Sequence, residues 1–91
     1  MINFNPNAIQ ICEMADRLQE HYLRSERFEA KTLSGVSLNC QCVKSAYDDG
    51  FRAVAWVVKE GESYEEPEPL TKFRKNWTRL ASELVNALKE R

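Results

Sequence analysis

Hydrophobic and polar residues alternate most clearly in the middle of the chain. Over residues 36–42, Val, Leu and two Cys occupy every second position, with Ser, Asn and Gln between them. A period of two residues is typical of a β-strand with one face in a core and the other in water. After an Asp-Asp-Gly turn, residues 51–59 are again rich in β-branched and aromatic types. The pattern predicts a β-hairpin with strands at 36–47 and 51–59.

The turn of this hairpin decides which side chains face the core. If Gly50 is third in a three-residue loop, in the left-handed conformation, Tyr47 pairs with Phe51. Alternate residues of the second strand, including Trp56, then join the core face. A two-residue turn at Asp49-Gly50 shifts the pairing by one residue and reverses the faces. That turn would place Trp56 outside and bring small residues inward: Ala53, Ala55 and Val57.

A second turn, Leu-Ser-Gly at residues 33–35, favours the three-residue loop. The same loop type pairs Thr32 with Val36 and Phe28 with Cys40. The two loops together predict one core face across three strands, at 28–33, 36–47 and 51–59. The predicted members of this face are Phe28, Ala30, Val36, Leu38, Cys40, Cys42, Val54, Trp56 and Val58.

Two segments show the three-to-four-residue spacing of amphipathic helices. The first covers about residues 6–25, with Asn5 as its N-cap and Pro6 in the first turn, where a missing N–H costs nothing. The second covers about residues 71–90 and places a Trp and three Leu on its apolar face. Between the third strand and this helix, residues 60–70 hold five Glu and two Pro, and they are predicted to form an acidic loop.

The order helix–strand–strand–strand–helix, with short connections between the strands, predicts an α+β fold. We expect a three-stranded antiparallel meander with both helices on one face, in a two-layer sandwich. Residues 1–91 are expected to form a single domain. The longest apolar runs fall short of the about 20 residues of a membrane span, and the N-terminus lacks the pattern of a signal peptide. These features predict a cytoplasmic protein that does not contact a membrane.

Residues that would support catalysis are sparse. All three glycines fall in predicted turns, so a glycine-rich phosphate loop is excluded, and zinc-helix and nucleophile-elbow motifs do not occur. The three cysteines are an odd number, which excludes a complete internal set of disulfides. Cys40 and Cys42 alternate within a hydrophobic strand and are predicted to be small buried hydrophobes. We therefore predict a protein that is not an enzyme and has no catalytic residue, metal or cofactor.

The predicted sheet leaves one face without helices. The third strand is apolar on both sides, and an exposed apolar patch of this kind is typical of a contact surface. We predict a small non-catalytic protein-binding module, such as an adaptor, regulatory subunit or inhibitor. Its partner is another protein or a second copy, most simply in a two-fold homodimer. The predicted interface comprises this patch and part of the acidic loop: Val43, Tyr47, Phe51, Ala53, Ala55, Val57, Tyr64, Glu65 and Glu66.

The order of elements also resembles that of double-stranded RNA-binding domains, whose second helix carries phosphate-contacting lysines. Lys72, Lys75 and Arg79 lie at the corresponding place. The resemblance implies, as an alternative, a nucleic-acid-binding domain that uses the basic face of the C-terminal helix. This chain departs from the family because an acidic loop precedes that helix and because the loop that probes the minor groove is reduced to residues 33–35. Since the acidic loop would repel phosphate and the net charge is −1, nucleic acid is the less favoured partner.

Overall fold

The computed structural model describes residues 3–4, 10–47, 49–58 and 65–91. The elements in chain order are β1 (Asn3–Phe4), α1 (Ile11–Leu23), β2 (Phe28–Lys31), β3 (Ser37–Lys44), β4 (Phe51–Val58), β5 (Glu65–Pro69) and α2 (Trp77–Lys89). Two helices and an antiparallel sheet confirm the predicted α+β class. In the sheet the strands lie in chain order, with β1 parallel to β2 and all other neighbours antiparallel. The sheet thus has one more strand at each edge than the predicted meander. Within the described residues, neither helix is long and apolar enough to cross a membrane.

The hairpin between β2 and β3 has the predicted turn. Phe28 pairs with Cys40, and the Thr32 N–H donates to the Val36 carbonyl at 2.9 Å. Gly35 has a φ of +91°, in the left-handed region that a side chain would disfavour. The third loop residue is therefore glycine because this turn requires that conformation.

The hairpin between β3 and β4 has a different register from the predicted one. The last strand pair is Lys44 with Phe51, and the Ser45 N–H donates to the Gly50 carbonyl at 2.9 Å, so residues 46–49 form the loop. The observed pairing is shifted from the predicted one by an odd number of residues. Each side chain of β4 therefore lies on the opposite face of the sheet from the one predicted. The prediction that Trp56 and Val54 face the helix-covered core is therefore wrong, because both side chains lie on the other side of β4. The fully buried core residues of β4 are Ala53 and Ala55.

The reason for this difference is a tertiary contact at Gly50. Among the described residues, Gly35 is the only glycine with a positive φ, so Gly50 does not supply a left-handed turn. A Cβ on Gly50 would instead lie 3.1 Å from the Cβ of Phe73 and 3.4 Å from the Arg74 nitrogen. The position is glycine because the segment before α2 passes close to it, and that segment is 23 residues further along the chain.

Both helices pack on one face of the sheet and enclose a single core. The core members from the helices and from the sheet are Met14, Ala15, Leu18, Phe28, Ala30, Cys40, Cys42, Ala53, Ala55, Leu70, Leu80, Ala81, Leu84, Val85 and Leu88. Val36, which was predicted to be in this core, is exposed at the start of the hairpin. The side chain of Val58 lies outside the described part of the structure.

Each helix begins later than predicted. The N-cap of α1 is Gln10, which is extended, so a helix does not run continuously from residue 6; residues 5–9 lie outside the described part. The N-cap of α2 is Asn76, whose Oδ1 accepts from the N–H groups of Thr78 and Arg79 at 2.8 and 3.3 Å. This capping satisfies the free donors of the first turn and fixes the helix start six residues after the predicted one.

Strand β5 lies in the segment that was predicted to be a loop. The Leu70 N–H donates to the Ala53 carbonyl at 2.9 Å, and Glu68 pairs with Ala55. Because hydrogen-bonding direction alternates along a strand, the nitrogens of Pro67 and Pro69 point away from β4. Proline is tolerated in an edge strand at these positions, since the missing N–H would have faced solvent.

Candidate interaction surfaces

The face of the sheet that carries no helix, here called the outer face, is built around Trp56. Trp56 pairs with Asn39 and Pro67, and the guanidinium carbon of Arg27 lies 4.5 Å from the indole ring centroid. This is a cation–π contact across two strands. The indole Nε1 is buried and has no hydrogen-bond acceptor among the described residues. A buried donor without a partner is uncommon in folded proteins, so it marks this position for attention.

Apolar groups flank Trp56 on the outer face. Val54 lies two residues earlier on β4 and is 4% exposed, although it is not part of the core under the helices. Pro69 pairs with Val54, and Val43, which is half-buried, pairs with Arg52. Of these residues Pro69 is exposed and Val43 half-buried, so they form the accessible apolar surface beside the Trp56 ring, whereas Val54 contributes almost none.

A second surface lies at the end of the sheet where β4 begins. Arg74 pairs with Phe51 through backbone hydrogen bonds of 2.8 and 2.7 Å, and this places the segment before α2 alongside β4. The guanidinium carbon of Arg52 lies 4.0 Å from the ring centroid of Phe73. The Nε of Arg52 is buried without an acceptor in the described part of the structure. We call this region the basic end; besides Arg52 its cations are Lys44, Lys72, Lys75 and Arg79, which form no ion pair with another described residue.

Glu83 of α2 holds this segment in place. One carboxylate oxygen accepts from the Lys72 N–H at 2.6 Å, and the other accepts from Arg74 Nε at 2.6 Å. Burial alone would raise the pKa of Glu83, but the hydrogen bonds and the positive charges of Arg74 and Lys72 outweigh it and lower the pKa below its ordinary value. The ionised carboxylate is therefore the form that the segment stabilises.

The structure separates the predicted interface residues. Ala53 and Ala55 lie under the helices, which corrects their placement on an open surface. Phe51 also lies on the helix side, where its ring stacks on Trp77 at 4.4 Å and meets Tyr22 edge-on at 4.8 Å. Of the remaining predicted residues, Val43 lies on the outer face and Tyr47 is 97% exposed in the β3–β4 loop. Outside the described part lie the side chains of Val57, Glu65 and Glu66, and the whole of Tyr64.

The three predicted phosphate-binding residues do not share a helical face. Lys72 and Lys75 precede Asn76 in a non-helical segment, and Arg79 alone lies in α2. All three side chains are exposed. Their clustering therefore comes from the pairing of Arg74 with β4 and not from helical periodicity.

Cys40, Cys42 and His21 belong to the packing of the fold, whereas Cys12 is exposed. Burial raises the pKa of both Cys40 and Cys42 to about 12, so the thiols are protonated at neutral pH and are poor nucleophiles or metal ligands. His21 is buried against Phe28, with ring centroids 5.6 Å apart. Among the described residues, no group of three or more His, Cys, Asp or Glu is placed to hold a metal ion.

The described residues form a small α+β protein with two surfaces that could support a function, the outer face and the basic end. Comparison with protein families, with curated proteins and with solved structures gives no significant match. Any function must therefore be inferred from these surfaces.

Sequence reasoning missed Trp56 and Arg27 as surface residues. Their position depends on the parity of the β3–β4 register, and the signal for the correct parity was the pair of alanines in β4. Small residues at alternate positions of a strand, Ala53 and Ala55, are what two closely packed helices require below them.

Proposed function

We propose that this chain is a small non-catalytic protein-binding module that engages its partner through the outer face of the sheet. Val43 stays in the proposed interface, and Trp56 and Arg27 replace the alanines of β4. Tyr47 lies beyond the strand ends and is not needed for this contact. An adaptor, a regulatory subunit and an inhibitor would all use such a surface, and the free thiols suit a reducing, cytoplasmic setting.

The observation that supports this proposal is the state of Trp56. Trp and Arg are the residue types most enriched among residues that dominate binding energy at interfaces. Here a guanidinium lies over an indole on the face where no described helix packs, and the indole N–H is buried without an acceptor among the described residues. A carbonyl or carboxylate of a partner would satisfy that donor while apolar groups cover the ring.

The protein-binding proposal is tested with the variant Trp56→Ala. We expect it to remain folded by circular dichroism, because the residue lies outside the helix-covered core, and to lose partner binding. Leu23→Ala is the matched control, since Leu23 is 72% exposed at the end of α1 and does not belong to the outer face. Sedimentation velocity over a range of concentrations tests self-association, and affinity capture compares the two variants for other partners. Equal binding by both variants would contradict the proposal.

Binding of double-stranded nucleic acid by a basic helix face is the other function that the sequence favours. It ranks second, because only Arg79 of its three predicted contacts lies on α2. A protein that binds duplex nucleic acid in this way needs cations aligned along a helix or a loop that reaches into a groove. The β2–β3 loop cannot serve as that loop, because it is a tight turn.

A further inference from the structure

The basic end carries cations that the fold itself does not use. Lys44, Lys72, Lys75 and Arg79 are all exposed. Within the described residues, the ion pairs at this end involve Arg74 with Glu83, and none of these four cations or Arg52 has a carboxylate within 4.0 Å. Of the described carboxylates, those at this end are Asp49 of the loop and the already neutralised Glu83. The positive potential there is available to a ligand.

Two aromatic rings lie among these cations. Tyr47 is 97% exposed at the tip of the β3–β4 loop. Phe73 is 37% exposed, and the Arg52 guanidinium covers it at 4.0 Å. Arg52 is half-buried and Phe73 is partly accessible, and unpaired nucleic-acid bases stack on guanidinium planes and on aromatic side chains of this kind.

Among the Glu residues of β5, Glu68 is nearest to this end: it pairs with Ala55, three residues from Arg52 on β4. At about 3.3 Å per residue this separation is roughly 10 Å, comparable to the Debye length of about 8 Å at physiological salt. Arg91 forms an ion pair with Glu68 at 2.8 Å and partly neutralises it. The repulsion between β5 and a phosphate at the basic end is therefore weakened by salt and by this ion pair.

We propose that the basic end binds single-stranded nucleic acid. The cations Lys44, Lys72, Lys75 and Arg79 contact backbone phosphates, while Tyr47 and the stacked Arg52 and Phe73 hold unpaired bases. A single strand fits better than a duplex, because bases inside a duplex are not available for stacking. It also fits better than an acidic peptide, whose carboxylates would use the cations but leave the exposed aromatic rings without a role.

The test measures binding of a fluorescein-labelled oligo(U) of about 16 nucleotides, a length within the range that small single-strand binders cover. Fluorescence anisotropy is recorded at several salt concentrations for the wild-type chain and for a Lys72→Ala/Lys75→Ala double variant. The matched control is Lys31→Ala/Lys89→Ala, which removes the same charge from exposed positions elsewhere. Tyr47→Ala tests stacking, since the side chain is 97% exposed and its loss should leave the fold intact. Thermal melts verify that each variant is folded.

We expect wild-type affinity to fall linearly with salt on logarithmic axes. Each phosphate contact contributes about 0.7 to that slope, so Lys72→Ala/Lys75→Ala lowers it by about 1.4 while the control keeps it. Tyr47→Ala is expected to weaken binding about five-fold or more at constant slope. Trp56→Ala should have no effect, which separates this proposal from the protein-binding one.

Four results would overturn the inference. The first is no binding at low salt, and the second is an equal loss in the two lysine double variants. The third is displacement of oligo(U) by a poly-glutamate peptide of the same charge, together with unchanged oligo(U) affinity in Tyr47→Ala. This result would identify an acidic protein as the ligand. A duplex RNA that binds more tightly than oligo(U) would likewise restore the double-stranded alternative.

Discussion

Replacing Glu83 by Gln tests whether one carboxylate fixes the segment that leads into α2. The variant keeps the size of the side chain but loses the charge that supports two hydrogen bonds, to the Lys72 N–H and to Arg74 Nε, each 2.6 Å long. The amide nitrogen must also face one of the two donors. A hydrogen bond to a charged group contributes about 1.5–3 kcal/mol when buried. Because the Glu83 side chain is 26% exposed, we expect a loss of about 1–2 kcal/mol in the free energy of unfolding.

The pH dependence gives a sharper test of Glu83. A carboxyl group whose pKa is lowered by folding stabilises the protein above its unfolded-state pKa of about 4.3, and this contribution is lost as the pH falls through the folded-state value. The stability difference between wild type and Glu83→Gln should therefore be constant from neutral pH to about pH 5 and shrink below about pH 4.

The assay is urea unfolding followed by circular dichroism at a series of pH values. Glu90→Gln removes the same charge from an exposed residue at the end of the same helix and should change stability by less than about 0.5 kcal/mol. A Glu83→Gln loss that is as large at pH 3 as at pH 7 would refute the role of the ionised carboxylate. So would an equal loss in Glu90→Gln.

Two further predictions concern the core. Ala55→Leu should lower stability by about 1–3 kcal/mol in urea unfolding, because Ala55 is fully buried beneath the helices; an unchanged midpoint would mean that β4 faces the other way. Cys12 should react with a thiol reagent in the native protein, since it is exposed, whereas Cys40 and Cys42 should react only after unfolding, because both are buried and burial raises the pKa of each to about 12. Rapid native labelling of all three would contradict the described packing.

The two hairpins show where local sequence determines structure and where it does not. The turn at Gly35 was predictable, because its chemistry is local: a three-residue loop needs a left-handed third position, and glycine supplies it. Asp-Asp-Gly before β4 looks equivalent, but Gly50 is needed for the approach of Phe73. A contact between residues 23 positions apart cannot be read from a turn signal, and the error reversed one strand.

The same limits apply to β5 and to the candidate surfaces. Glu and Pro have low strand propensity, so residues 65–69 gave a loop signal; the prolines are compatible with a strand only because both face outward at an edge. The charges in the sequence indicated Lys72 and Lys75. Arg52 belongs to β4, and its place beside that segment could be seen only in the folded structure. The first hairpin fixes which side of β3 faces the helices. The alternation of residues along β3 therefore predicted the face of Val43 correctly.

The outward prolines of β5 have a consequence for how this protein behaves when it is concentrated. A sheet edge with free N–H groups can template the addition of further strands and so start a fibril. The outward-facing positions of β5 at Pro67 and Pro69 offer carbonyl groups but no donor, so a new strand cannot form a regular ladder there. Growth of the sheet by strand addition is blocked at this edge. Any assembly that involves this side of the molecule must therefore use side chains of the faces, which favours closed complexes of defined size over open-ended polymers.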